Sequence, residues 1–319
     1  MKTRILLFSA SLFTVAVLAQ KVKYEVDEDS PYSHNFRASF IPFFADYNHN
    51  INVALGYGFE SALLFKKIAT FNVYLEKAYL DINAHESDIV SSTTTNSLKK
   101  YSHLELGGSF HLMDKVKTKK ITVVVFGNSS ERGFIRPEGD VRKMLEVRGG
   151  IYRYSHMINA DAQGYAGVDP EGEHGVVATD GTPFFEGNTL LSATGFYAGL
   201  ASSSQSNLQI DVGGYGDRGF LVSKSWYADV ILANPKIDDF KVAGVNYDVS
   251  GKGARGFNTT SLGMRIGYIY AMSKRNFGGL YFKNEIGLKP GISDRKFYWD
   301  MAMGISFNGL IKLLAARDN

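Results

Sequence analysis

Four side chains in one short stretch are of the types that acyl-transfer chemistry uses. His103, Glu105, Ser109 and His111 fall at even spacings, so on a strand they share one face. An imidazole that took the serine proton would make a nucleophile. Residues two apart on a strand face lie about 6–7 Å from each other, however. Ser109 and His111 therefore cannot meet without strain, and a partner would have to come from a neighbouring strand. Hydrogen bonding inside the protein is the plainer assignment, and no catalytic residue is assigned. As metal ligands, His103 and His111 would stand about 26 Å apart along the strand, too far for one ion.

Three other stretches hold chemistry-bearing residues. Asp169, Glu171, Glu173, His174 and Asp180 are oxygen- and nitrogen-rich, but without the order of an EF-hand they read as a solvated acidic loop. Gly213-Gly214-Tyr215-Gly216-Asp217-Arg218-Gly219 lacks the Lys-Ser/Thr of a phosphate loop and reads as a bulge or bend within a strand. The basic run 114–120 (Asp-Lys-Val-Lys-Thr-Lys-Lys) reads as a plain solvated periplasmic turn, with contact to anionic headgroups or to a partner as the alternative. The absence of Cys removes disulfides, zinc-thiolate sites, thiol nucleophiles and an acylated-Cys anchor. No cofactor and no metal is expected. A net charge of +3 without a long basic tract argues against nucleic acid as a partner.

The elements that must position these residues are strands. In a chain of 319 residues, Lys2 and Arg4 precede an apolar run from Ile5 to Leu18, and Val17-Leu18-Ala19 offers small residues for a signal peptidase. Residues 1–19 are therefore expected to be a cleaved secretory signal, too short for a membrane helix. Beyond it the pattern has period 2. From Phe297 to Phe307 one face reads Phe297, Trp299, Met301, Met303, Ile305, Phe307; the other reads Tyr298, Asp300, Ala302, Gly304, Ser306. A helix would mix these sets, so the segment is a strand. The same alternation marks 53–65, 104–112, 226–232, 262–272 and 280–288.

A soluble sandwich alternates too. Runs of about 9–15 residues exceed the usual soluble strand of about 5–6 and suit a tilted membrane strand. Glycine and small residues crowd the polar face, and aromatics recur near strand ends, as in an aromatic girdle. Gly56-Tyr57, Gly149-Gly150-Ile151-Tyr152, Gly195-Phe196-Tyr197 and Gly267-Tyr268, together with Leu18-Ala19-Gln20 at the end of the signal, resemble the outer-membrane β-barrel proteins of Bacteroidota-type bacteria. Barrels of that kind often end on an aromatic in the last strand. Here Phe307 is followed by a further stretch, so any assembly signal must lie within 297–307.

The expected fold is thus all-β, a single transmembrane antiparallel β-barrel of about 12 strands, with 10 as the alternative. Residues 20–33 read as an acidic, flexible periplasmic lead-in, 34–310 as the barrel and 311–319 as a polar end. The count of twelve includes a wall strand at 121–127, an outer loop at 128–141, an extra strand near Gly175–Thr179 and a turn at 203–206. Ten applies if 121–127 and the extra strand are not in the wall.

The alternation assigns Arg37, Glu60, Glu105, Glu146, Arg148, Asp229, Arg265, Lys283, Glu285 and Asp300 to the lumen. Phe297, Trp299, Met301, Met303, Ile305 and Phe307 would face lipid, and Asn284 breaks the outer band. Lumen charges of both signs suit a salt-bridged filling better than an ion-selective constriction. The expected location is the outer membrane of a Gram-negative cell, in contact with its lipid. The expected role is a non-enzymatic structural or accessory subunit of an envelope complex. The alternatives are a narrow porin-like channel and a lipid-modifying enzyme.

Overall fold

The computed structural model describes residues 23–28, 30–31, 36–49, 52–65, 67–83, 101–127, 132–159, 188–214, 216–238, 240–242, 245–247, 259–274, 278–292 and 296–308. The proposed signal, the acidic stretch 169–180, the segment Gly175–Thr179 and the end 311–319 lie outside them.

Every regular element among these residues is a strand. The first nine are β1 (Tyr24–Glu28), β2 (Phe36–Asn48), β3 (Asn52–Phe65), β4 (Ala69–Asn83), β5 (Ser102–Lys120), β6 (Val123–Gly127), β7 (Arg132–Ile135), β8 (Glu138–Asn159) and β9 (Asn188–Val212). The others are β10 (Gly216–Ile237), β11 (Phe240–Val242), β12 (Val245–Tyr247), β13 (Thr259–Thr260), β14 (Leu262–Ser273), β15 (Gly279–Leu288), β16 (Gly291–Ile292) and β17 (Phe297–Asn308). One antiparallel sheet runs β9-β10-β14-β15-β17-β2-β3-β4-β5-β8, and β8 pairs back onto β9. The result is a closed barrel of ten strands, the smaller of the two expected counts, with β1 added along the last residues of β9.

The register fixes the tilt. One circuit of paired residues climbs from Leu64 through Thr70, Ser109, Arg148, Gly199, Asp229, Arg265, Gly287, Tyr298 and Asn48 to Asn52, returning to β3 twelve residues away. A stagger of that size goes with a strand tilt of about 35–45°. Side chains from strands far apart in sequence therefore meet at one level of the lumen.

The alternation read from the sequence separates the two faces. Phe196, Trp226, Leu232 and Ile266 point outward and are exposed, whereas Asp229, Arg265, Lys283 and Glu285 point inward and are buried. On β8 the outward residues between Lys143 and Arg153 are Leu145, Val147, Gly149 and Ile151. On β10, Trp226, Ala228, Val230 and Leu232 lie between Lys224 and Asn234. Both stretches span ten residue-to-residue steps; at about 3.3 Å per step and a tilt near 40° they rise about 25 Å. Asn284, which interrupts the outer band, accepts from Trp299 Nε1 at 3.2 Å through its side-chain oxygen.

Four neighbouring wall strands outrun the rest. β5, β8, β9 and β10 have 19, 22, 25 and 22 residues, against 10–15 in the other wall strands. Pairing with β4 stops at Phe110, while β5 continues to Lys120. The excess forms a projecting flap at the end of the barrel where β2 begins and β17 ends, the termini end. On it the outward residues Leu208, Ile210 and Val212 are covered by Val123 and Val125 of β6, with Ile121 and Ile135 packed alongside. Arg218 Nε donates to Val125 O at 3.1 Å, and the Asn207 amide donates to Ser30 O at 3.2 Å.

Several expectations change. Residues 121–127 form no wall strand; β6 pairs with β7 in a hairpin on the flap, and β5 pairs directly with β8. Of the stretch expected as an outer loop, Arg132–Ile135 is β7 of that hairpin and the residues from Glu138 onward are β8, all at the termini end. Residues 203–206 are strand, and the turn comes at Gly213–Gly214, where Gly214 has φ of 83°. The polar run Ser202–Asn207 looks like a turn because β9 has left the apolar band there, and its outward positions no longer need apolar side chains. The basic run 114–120 is strand as well, and within the lead-in 24–28 are ordered as β1.

Candidate functional site

The lumen gathers the sequence-predicted charges. All ten point inward. Arg37 Nη2 lies 2.5 Å from Glu60 Oε1 and Arg37 Nη1 donates to Ser223 Oγ at 3.1 Å. Arg148 Nε lies 3.2 Å from Asp229 Oδ1. Lys283 Nζ donates to Asp300 at 2.6 Å and stands 3.8 Å from Glu285.

Arg265 occupies the centre, 2% exposed. Its guanidinium takes Glu105 in a bidentate grip, with Nη1 on Oε1 and Nη2 on Oε2 at 2.9 Å. Its Nε donates to Asp229 at 2.7 Å, and Nη1 lies 3.4 Å from Glu285. Rings of Tyr152, Tyr197 and Tyr227 surround it at 4.8–5.8 Å. A planar fork with fixed donors suits three carboxylates arriving from different strands better than an ammonium would.

Small residues make room for this filling. Arg148 and Asp229 flank Gly199 on the climbing row, and a Cβ at Gly199 would stand 2.3 Å from Asp229 Oδ1. A Cβ at Gly267 would stand 2.2 Å from the Tyr227 ring, which lies against the wall there.

Sequence reasoning missed a second set. Asp46, Glu76 and Lys289 are buried in the lumen, as are eight tyrosines, among them Tyr74, Tyr101, Tyr227 and Tyr298, the last already on the inward face by its alternation. Lys289 Nζ donates to Asp46, and Tyr101 donates to Asp46 at 2.6 Å. Tyr74 donates to Glu76; Tyr227 and Tyr298 both donate to Glu285, the latter at 2.6 Å. Asp46 escapes a strict alternation from Arg37 because a bulge between Ile41 and Phe44 shifts the parity of β2. Glu76 and Lys289 lie on alternations that extend from Tyr74 and from Glu285. Among the described residues, eight inward carboxylates face six cations, and one of the six, Arg142, is taken up by the half-buried Asp114. The phenol donors satisfy part of the acidic excess.

The nucleophile candidates are engaged otherwise. Ser109 Oγ donates to Glu146, not to an imidazole. His111 Nε2 lies 2.9 Å from Thr70 Oγ1 and its Nδ1 lies 3.2 Å from Lys67 O. His103 sits higher, 2.9 Å from Glu105 and 3.5 Å from Glu76. Below the central network a cavity of about 100 Å³ is lined in part by Arg37, Glu60, Thr70, Ser109, Glu146 and Arg148. Its size and polar lining suit a few waters.

The geometry bridges the lumen from wall to wall with ion pairs and phenols. No protein-family model matches this chain, and no match is found among curated proteins or solved structures.

Proposed function

We propose that this chain is an integral outer-membrane β-barrel with a closed lumen, serving as a non-enzymatic structural or accessory subunit of an envelope complex. The filled interior carries this reading. Arg265, Glu105, Asp229 and Glu285 occupy the axis of a ten-stranded barrel, where a conducting pathway would need open space. The exposed apolar belt about 25 Å tall supports the membrane assignment. The flap supports an assembly role, since four strands and a covering hairpin extend well beyond what the barrel wall requires. The acyl-transfer alternative is weakened by the Ser109–Glu146 bond, which leaves the hydroxyl without an imidazole base.

The test is extraction of the native protein in mild detergent, with sizing and mass spectrometry of what co-elutes, beside planar-bilayer recordings. A stable large assembly and a silent bilayer are expected. A lone monomer with discrete conductance steps would replace this reading with the channel.

A further inference from the structure

The outward face changes character along one row of the sheet. Lys115 of β5 stands directly across from Lys143 of β8, Lys143 from Ser204 of β9, and Ser204 from Lys224 of β10. All three lysines are exposed. Above the row lie exposed Leu145 and Trp226, the indole packed against the Tyr268 ring with centroids 4.5 Å apart and planes tilted by 40°. Below it, Leu208 and the apolar residues after it are covered by the β6–β7 hairpin. On the wall strands the row thus marks the edge of the exposed apolar belt; beyond it the hairpin exposes Val124 and Phe134.

Its charges are uncompensated among the described residues. Like charges directly opposite on antiparallel strands repel. The neighbouring carboxylate of Asp114 is held by Arg142 at 2.6 Å, and among the described residues no carboxylate pairs with Lys115, Lys143 or Lys224. Lys224 contacts only the Tyr270 ring, at 5.6 Å. An anion bridging Lys115 and Lys143 would turn the repulsion into two charge-assisted hydrogen bonds.

We propose that this row binds the phosphate of anionic phospholipid headgroups in the leaflet at the termini end. The proposal rests on the membrane reading above. The aromatic pair above the row matches the depth of the glycerol backbone, where amphipathic rings settle. A lysine near an anionic membrane surface contributes about fivefold in affinity, so the row acts through its number.

The test uses the full chain in nanodiscs of phosphatidylcholine with or without phosphatidylglycerol, and native mass spectrometry of the lipids retained on release. The expected result is about tenfold or greater enrichment of phosphatidylglycerol, lost in K115Q/K143Q/K224Q and kept in K236Q at the opposite end of β10. No enrichment in the wild type, or enrichment surviving the triple variant, overturns the proposal. Release of the retained lipid by inorganic phosphate also overturns it, by making free phosphate the occupant. A chain that stays out of the nanodiscs altogether refutes the membrane reading, a result distinct from insertion without lipid preference. The single variant K115Q guards against misfolding of the triple one. It should unfold later than wild type in neutral lipid, where repulsion is relieved, and earlier in anionic lipid. The same sign of change in both lipids counts against the proposal.

Discussion

Replacing Arg265 by Met tests whether the ion network holds the barrel together. The substitution keeps an unbranched side chain of similar length and removes the cation from among Glu105, Asp229 and Glu285. Breaking a buried ion pair by removing one partner costs about 3–5 kcal/mol, because the remaining charge is buried without compensation. Two neighbours soften the loss here: His103 stands 2.9 Å from Glu105, and Arg148 stands 3.2 Å from Asp229. The expected cost is therefore at the lower end, about 3 kcal/mol. Trp226 and Trp299 report unfolding from the outer face, so urea titration in detergent micelles can be followed by fluorescence. With a urea dependence of about 1–3 kcal/mol/M, the midpoint should fall by about 1 M or more. Glu105→Gln and the double variant close a thermodynamic cycle, with an expected coupling at the upper part of the usual range of about 0.5–3 kcal/mol. An R265M midpoint indistinguishable from wild type, or strictly additive effects, would refute the network as the element that fills and ties the lumen.

Three further outcomes follow from the same geometry. Leu200→Arg puts a cation in the middle of the exposed apolar belt and should cost about 2–4 kcal/mol in a bilayer; no penalty in lipid vesicles would argue for a soluble barrel. Gly199→Val forces a side chain into the space that Asp229 and the Ala228 carbonyl occupy and should cost at least about 1–3 kcal/mol, measured by the same titration, with a neutral result showing that Arg148 and Asp229 do not need that approach. Val125→Asp buries a carboxylate under the hairpin, where Val125 is 2% exposed; limited proteolysis should then cut the flap while the barrel stays resistant, and an unchanged digest would mean the hairpin does not depend on that packing.

Much of the architecture could be read along the chain because a barrel wall imposes period 2 wherever one face is apolar. Phe297–Phe307, Leu280–Leu288 and Leu262–Met272 carry that signal, and their strands run where it predicts. The signal fails where its cause ends. Beyond the apolar belt, β9 continues through Ser202–Asn207 with no outward apolar demand, so a strand looks like a turn. Conversely, 121–127 alternates like a wall strand because Val123 and Val125 cover an apolar stripe on the flap. Local pattern cannot distinguish lipid from a neighbouring sheet as the thing an apolar face meets.

The sequence by itself determined which side chains turn inward wherever a strand runs without a bulge, because alternation is a property of each strand alone. It therefore placed Glu105, Asp229, Arg265 and Glu285 in one lumen. Only the tertiary structure decided that they meet. The stagger of twelve residues per circuit brings β5, β10, β14 and β15 to a common level, and a single bulge in β2 turns Asp46 inward toward Lys289. Register and stagger are relations between strands, set by all ten closing on one another, and no stretch of sequence contains them.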